Sequence, residues 1–370
     1  MQFDQITGHN KLKMQLCQLA QDARIPHAQI FLGPEGCGKL ALAIAFAQYV
    51  LCENKKEAES CGQCSACTKA SKFIHPDIHF SFPVVGSKMT SNHFLTEWRQ
   101  ALQENVYMDI NKWLQNIGAE NKQGNINVDE CNSIIKKLSL KTFEAEYKIL
   151  IIWLPEYLGK EGNRLLKLIE EPPENTLFLL VAEDQERILQ TILSRCQLMK
   201  INRLSDADIT SALQQKYPGT AADRLAAVTH MANGNLNEAL KIFQQAENDQ
   251  AALFLDWLRK CYQGNGANLV KWVEAFAKIG RENQKQFVQY ALHFMREFLQ
   301  LTIAPGSPVR LLNNELTTAK KLTKVITAMH VMEITGLLDD CYYHIERNAN
   351  PKILFLDASI KINKIIKGRK

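Results

Sequence analysis

One short run, Gly33-Pro34-Glu35-Gly36-Cys37-Gly38-Lys39, narrows the choice of fold more than anything else in the sequence. It follows directly on AQIFL, residues 28–32, an apolar stretch of strand length, and leads into a stretch rich in alanine, leucine and isoleucine from Leu40 to about Leu51. Strand, glycine loop and helix in that order, with the spacing G-x-x-x-x-G-K, make a phosphate-cradling unit. The glycines let backbone N–H groups converge on phosphate oxygens, and the lysine adds a point charge. Gly33, Gly36, Gly38 and Lys39 are therefore the candidate nucleotide-binding residues. The blander reading is a glycine-rich turn backed by a buried helix.

The pattern continues as an α/β domain. Residues 77–82, 149–153, 176–182 and 197–201 read as further strands, with helical spacing over 8–24, within 88–140, over 163–171 and, as a short helix or turn, over 185–195. Strands alternating with helices predict a mostly parallel sheet. Beyond about residue 204 the strand signals fade into three short helices, then long ones at 253–261, 269–279, 284–301, 319–347 and 353–366. Three parts are expected: an α/β domain over 1–203, a small helical domain over 204–246 and an all-helical part over 247–370. The first carries a cysteine-rich module at about 52–67 and a segment at about 85–130 that looks inserted. A length of 370 residues suits two or three domains. The hydrophobic share of 46% excludes a disordered chain, and the net charge of +5 permits phosphate contact without demanding it. No apolar stretch of about 18 residues exists to span a membrane, and the start lacks the apolar core of a secretory signal. A reducing, cytoplasmic setting is expected.

Three positions in two motifs depart from nucleotide-hydrolysing chemistry. After Lys39 a hydroxyl should bind magnesium, yet Leu40 stands there and leucine offers a hard cation no oxygen. The strand ending in ILIIW should deliver a carboxylate for the metal, yet Trp153 and Leu154 follow the apolar run. Glu156 lies two residues further on, too far to inherit the role.

Cys52, Cys61, Cys64 and Cys67 are spaced C-x8-C-x2-C-x2-C. Four thiolates satisfy tetrahedral zinc, and two-residue gaps let neighbouring ligands curl around one ion. The site is read as structural zinc, with free thiols the alternative. Cys37, Cys131 and Cys196 are read as small buried hydrophobes, and His27, His75 and His79 as structural residues. Trp98, Trp113, Trp257 and Trp272 are read as packing residues, and the basic end (Lys361, Lys364, Lys367, Arg369, Lys370) as a solvated tail more than a DNA contact.

Several stretches together resemble the clamp-loader family of the AAA+ class, in particular its bacterial DNA polymerase III delta prime branch. They are FDQITGHNKLKMQL, IPHAQIFLGPEGCGK, the cysteine cluster, NRLLKLIEEPPENTLFLLVAED and ILSRCQ, covering residues 1–245 or so. The resemblance implies an AAA+ P-loop domain, a small helical lid and a helical collar. It implies that Ser194-Arg195-Cys196 carries an arginine finger serving the ATP site of a neighbouring subunit. Other family features are missing: Asn237 stands where hydrolysing subunits keep an arginine, and Val181-Ala182-Glu183 where a polar threonine is expected. The implied role is a non-hydrolysing subunit of a hetero-oligomeric ring that helps load a sliding clamp onto primed DNA, with ATP or ADP at most held without turnover. The alternatives are an active ATPase of the gamma/tau type and a zinc-dependent nucleic-acid-binding protein.

Overall fold

Residues on the strands alternate between two apolar layers, and that alternation builds the first part of the molecule. A computed structural model of the chain describes residues 1–120, 122–244, 250–304, 306, 309, 311 and 313–368. Helix α1 (Asn10–Gln21) is followed by β1 (Ala28–Leu32), α2 (Lys39–Leu51), α3 (Ser65–Ser71) and β2 (Ile78–Ser81). Helices α4 (Leu95–Glu104), α5 (Ile110–Asn116) and α6 (Val128–Leu138) lead to β3 (Lys148–Trp153). A kinked 3-10 stretch over Pro155–Leu165, then α7 (Leu166–Glu170), β4 (Thr176–Ala182), α8 (Gln190–Leu193) and β5 (Gln197–Lys200) complete the sheet region. Helices α9 (Asp206–Lys216), α10 (Ala222–Ala232) and α11 (Leu236–Gln244) follow. The last six are α12 (Gln250–Gln263), α13 (Gly266–Phe276), α14 (Arg281–Ile303), α15 (Asn313–Leu322), α16 (Ala328–Glu346) and α17 (Pro351–Lys367).

Contacts divide the chain into two compact units, Met1–Gly219 with Ala232–Ile242, and Thr220–Met231 with Phe243–Lys370. In the first, the five strands are all parallel in the order β2-β3-β4-β1-β5. Ile149, Ile151, Trp153, Leu177, Leu179 and Val181 pack on one face with α2. Leu150, Ile152, Phe178, Leu180 and Ala182 pack on the other with α6, α7 and α8. The period of two along each strand produces both layers, as a parallel sheet covered on both sides requires. Helix α2 lies inside, every residue from Lys39 to Leu51 buried, which is why it reads apolar all round. The expected parallel α/β architecture is the observed one.

The segment over 85–130 has an aromatic root. Trp98 stacks on Phe82 at 4.2 Å, meets Trp113 edge-on at 5.0 Å and lies 5.1 Å from Trp153 at the end of β3. The second unit is all helix around an aromatic core in which Trp257 stacks on Trp272 at 5.6 Å and donates its indole N–H to Ser359. All four tryptophans therefore act as packing residues. The expected single helix over 319–347 is two: Thr327 forms a capping box with His330 and starts α16 afresh. Arg369 and Lys370 of the basic end lie outside the described residues. No helix of the described residues is long and apolar enough to cross a membrane.

Candidate functional site

Parallel pairing puts the glycine loop and the end of β4 side by side. Leu32 is in register with Ala182, and Gly33 N–H donates to the Ala182 carbonyl at 3.1 Å. Glu183, the next residue, thereby reaches Lys39 across 144 positions of sequence, its Oε1 lying 2.9 Å from Nζ. The ammonium also donates to the Pro34 carbonyl at 3.1 Å, and Lys39 is 5% exposed. The lysine that would meet a phosphate is thus held by a carboxylate of its own chain.

The loop is covered from three directions. Gly36 and Gly38 have φ of +67° and +92°, which only glycine adopts without strain. Above Gly36 a Cβ would sit 1.7 Å from the Asn235 Oδ1, and the Leu236 N–H donates to the Gly36 carbonyl at 3.1 Å. Beside Gly38 the Tyr107 ring lies 3.0 Å from where a Cβ would be, its hydroxyl accepting from Thr7 N–H. His9 Nε2 is 2.7 Å from the Cys37 carbonyl. Asn235 thus packs against Gly36 from the start of α11, on the side where a side chain would otherwise stand.

Asp109 fastens these covers together. Its Oδ2 lies 2.5 Å from Lys241 Nζ and 2.8 Å from Asn237 Nδ2, and its Oδ1 caps α5 by accepting from Lys112 N–H at 2.8 Å. Asn105 Nδ2 donates to Asn237 Oδ1 at 2.7 Å. Asn237 is therefore a bridge between α11 and the segment over 85–130. Around the loop stand the carboxyls of Glu35, Asp109, Glu156 and Glu183 against the ammonium groups of Lys39 and Lys241. Burial, reinforced by Asp109 and Glu183, pushes the Glu35 carboxyl up.

The end of β3 explains the missing acidic motif. Trp153 is buried against Trp98, and Leu154 takes a left-handed φ of 57° that turns the chain away. Glu156 is buried, and its Oε1 accepts from the N–H groups of Glu183 (2.5 Å) and Asp184 (2.8 Å). It braces the turn after β4, and burial raises its pKa.

The four cysteines converge. Cys52 ends α2, Cys64 caps α3 and Cys67 lies within it, and all four sulfurs fall within 4.8 Å of one another. The N–H groups of Cys61, Cys64 and Cys67 donate to the sulfurs of Cys52, Cys61 and Cys64 at 3.2, 3.3 and 3.4 Å. The N–H groups of Gln63 and Cys64 lower the Cys61 thiol to about 6, while burial raises those of Cys52 and Cys67. This donor set suits a tetrahedral ion such as zinc. Among the described residues it is the one cluster of this kind. His75 and His79 stand apart from it, their pKa values lowered by burial.

Arg195 sits at the end of α8 with its side chain one-third exposed, its Nε and Nη2 on Glu170 Oε2. Ser194 donates to the Thr191 carbonyl, and burial pushes the Cys196 thiol up to about 12. The structure brings the four expected cysteines together and places Lys39 at the end of the loop after β1 and Arg195 after α8. Motif spacing gave no sign of Glu183 as a partner of Lys39, or of the contacts that Asn105, Tyr107 and Asp109 supply from the segment over 85–130. No local spacing signals those contacts, because each joins residues far apart in the chain.

Residues 8–205 match the sequence profile of the family described as DNA polymerase III, delta subunit. The chain is 23% identical over 383 residues to DNA polymerase III subunit tau of Bacillus subtilis (strain 168), covering 97% of this chain and 61% of that protein. It is 28% identical over 230 residues to subunit delta' of the same organism, covering 62% of this chain and 56% of the relative. It thus spans less than two thirds of either relative's length. A gamma subunit-related protein of Thermotoga maritima aligns over 94% of this chain and 99% of its own with 14% identity and a TM-score of 0.39.

Proposed function

We propose that this chain, which belongs to the DNA polymerase III delta-subunit family, is a clamp-loader subunit of the delta prime type that does not itself hydrolyse ATP. It sits in a ring of related subunits in the cytoplasm and helps load a sliding clamp onto primed DNA. The division into an AAA+ domain over 1–203, a lid over 204–246 and a collar over 247–370 is part of this reading, as is a structural zinc on Cys52, Cys61, Cys64 and Cys67.

The observation that carries the reading is the Lys39–Glu183 ion pair at 2.9 Å. A phosphate-binding lysine paired with the carboxylate that follows β4 is drawn away from the β- and γ-phosphates it would serve. The covering of Gly36 by Asn235 and the leucine at position 40 support it. Arg195, just after α8, is also paired with a carboxylate, but its side chain is 33% accessible against 6% for Lys39, and it keeps a planar charge suited to the oxygens of a transferring phosphoryl group. It would act on a neighbour's ATP.

The test is reconstitution with the partner ATPase subunits, the clamp and primed DNA. Arg195→Ala should lower clamp-stimulated ATPase by about tenfold or more while the assembly still forms, since arginine fingers in other enzymes are worth more than that. An unchanged rate would falsify the finger. Magnesium-dependent turnover by the purified chain, abolished by Lys39→Ala, would instead identify an active ATPase of the gamma/tau type.

A further inference from the structure

Arg195 has a partner that its own motif does not contain. Glu170 ends α7, between the buried Ile169 and the chain stop at Pro172-Pro173. Arg195 follows α8, whose Ile192 is buried. Both residues thus stand on backbone that packing holds in place. Glu170 Oε2 accepts from Arg195 Nε at 3.2 Å and from Nη2 at 3.1 Å. On the other side, Nη1 donates to the Thr191 carbonyl at 2.9 Å and to Ser194 Oγ at 3.4 Å. A guanidinium has five N–H donors. These contacts use four of them and leave one on Nη2.

We infer that Glu170 is the positioning residue of Arg195: it grips one edge of the guanidinium so that the remaining Nη2 donor is presented, in a fixed direction, to a phosphate oxygen brought by a neighbouring subunit. The inference rests on the reading of Arg195 as an arginine finger. An arginine left free must surrender several rotors when it meets its target. One already held by a carboxylate and a helix carbonyl has little left to lose, and its plane is set before the phosphate arrives. The pair is too exposed to matter for folding, with side chains 33% and 56% accessible. Water at that exposure screens the carboxylate's charge, so the arginine stays attractive to an anion while its geometry is kept. The motif LIEEPP and the motif SRC, 25 positions apart, are thereby one device.

The experiment uses the complete chain reconstituted with partner ATPase subunits, clamp and primed DNA, reading kcat and KM for ATP. Glu170→Ala should lower kcat by about three- to tenfold, the scale set by freeing one long side chain, with KM unchanged and the melting temperature of the chain unaltered. Glu170→Gln, whose amide oxygen can still accept from Nε and Nη2, should keep most of the rate. Added to Arg195→Ala, Glu170→Ala should cost nothing further. In the isolated chain, the Arg195 Nε–H resonance should be protected from exchange and lose that protection in Glu170→Ala. If Arg195→Ala slows the assembly but Glu170→Ala runs at the wild-type rate or faster, the positioning role is overturned and the finger stands. Failure of Glu170→Gln to rescue overturns it too. If Arg195→Ala itself has no effect, the finger reading falls and the positioning role with it.

Discussion

Replacing Asp109 by alanine should loosen α11 from the segment that covers the glycine loop. The carboxylate is 3% exposed and serves three partners: Lys241, Asn237 and the α5 N-terminus at Lys112. Loss of the cap costs about 1 kcal/mol. The Asn237 amide, 1% exposed, would be left without that acceptor, at about 1–1.5 kcal/mol. Lys241 is 35% exposed, so solvent screening limits its share to about 0.5–1 kcal/mol. The sum is about 3 kcal/mol, within the range of mutations that break a buried polar network. Native-state hydrogen exchange of the β3 and β4 amides reads the opening of this unit alone, and peptides from α11 read the local release. A loss under about 1 kcal/mol, or α11 exchange no faster than in the wild type, refutes the reasoning. The pH dependence is a second check. Burial by itself would raise the Asp109 pKa, but the Lys241 ammonium, with the Lys112 N–H and the Asn237 amide, outweighs it and holds the carboxyl below 3.8. A folded pKa below the unfolded one gives stability that is complete at neutral pH and disappears as pH falls through the folded value. The gap between wild type and Asp109→Ala should therefore shrink in acid, and a gap that widens there contradicts the assignment.

Lys39→Ala should leave the ATPase rate of a reconstituted assembly within about twofold of wild type, because the lysine already faces Glu183; a loss comparable to that of Arg195→Ala would mean the loop takes part in turnover. Chelation of the metal from the Cys52, Cys61, Cys64 and Cys67 site should unfold residues 52–67 and the start of α3, followed by circular dichroism and by thiol titration; four thiols that stay unreactive before and after chelator would argue against a metal centre. Burial, with Lys137 next, lowers the His79 pKa from 6.5 to about 4. The unfolded chain then binds the extra proton first, so His79 destabilises the fold as pH drops from 6.5 toward 4, and His79→Gln should flatten the acid limb of the stability profile over that window.

Much of the fold is local and therefore legible. The five strands lie where apolar runs end in turn residues, and the glycine loop opens α2 at Lys39 because Gly38 can take a φ that other residues resist. Cysteine spacing is likewise a short-range signal, since ligands two residues apart need only one turn to meet. The expected helix over 319–347 went astray on a competing local signal: apolar spacing runs through residues 323–327, but the Thr327 capping box starts a new helix there. The segment over 85–130 looked inert because its polar residues have ordinary spacing. Its contacts became visible only once Trp98 was seated on Trp153.

The amino-acid order alone determines that this chain builds a parallel sheet with a phosphate-type loop, lacks oxygens at positions 40, 153 and 154, and carries a four-thiol module and an arginine in SRC. Those features depend on residue chemistry within a few positions. Whether the loop is open was decided by folding. Parallel pairing of β1 with β4 brought Glu183 to Lys39, and the seating of α11 put Asn235 over Gly36. A hydrogen bond or a steric contact between residues a hundred or more positions apart has no local pattern to announce it, because the energy that brings them together comes from the burial of the sheet and helices on which they ride.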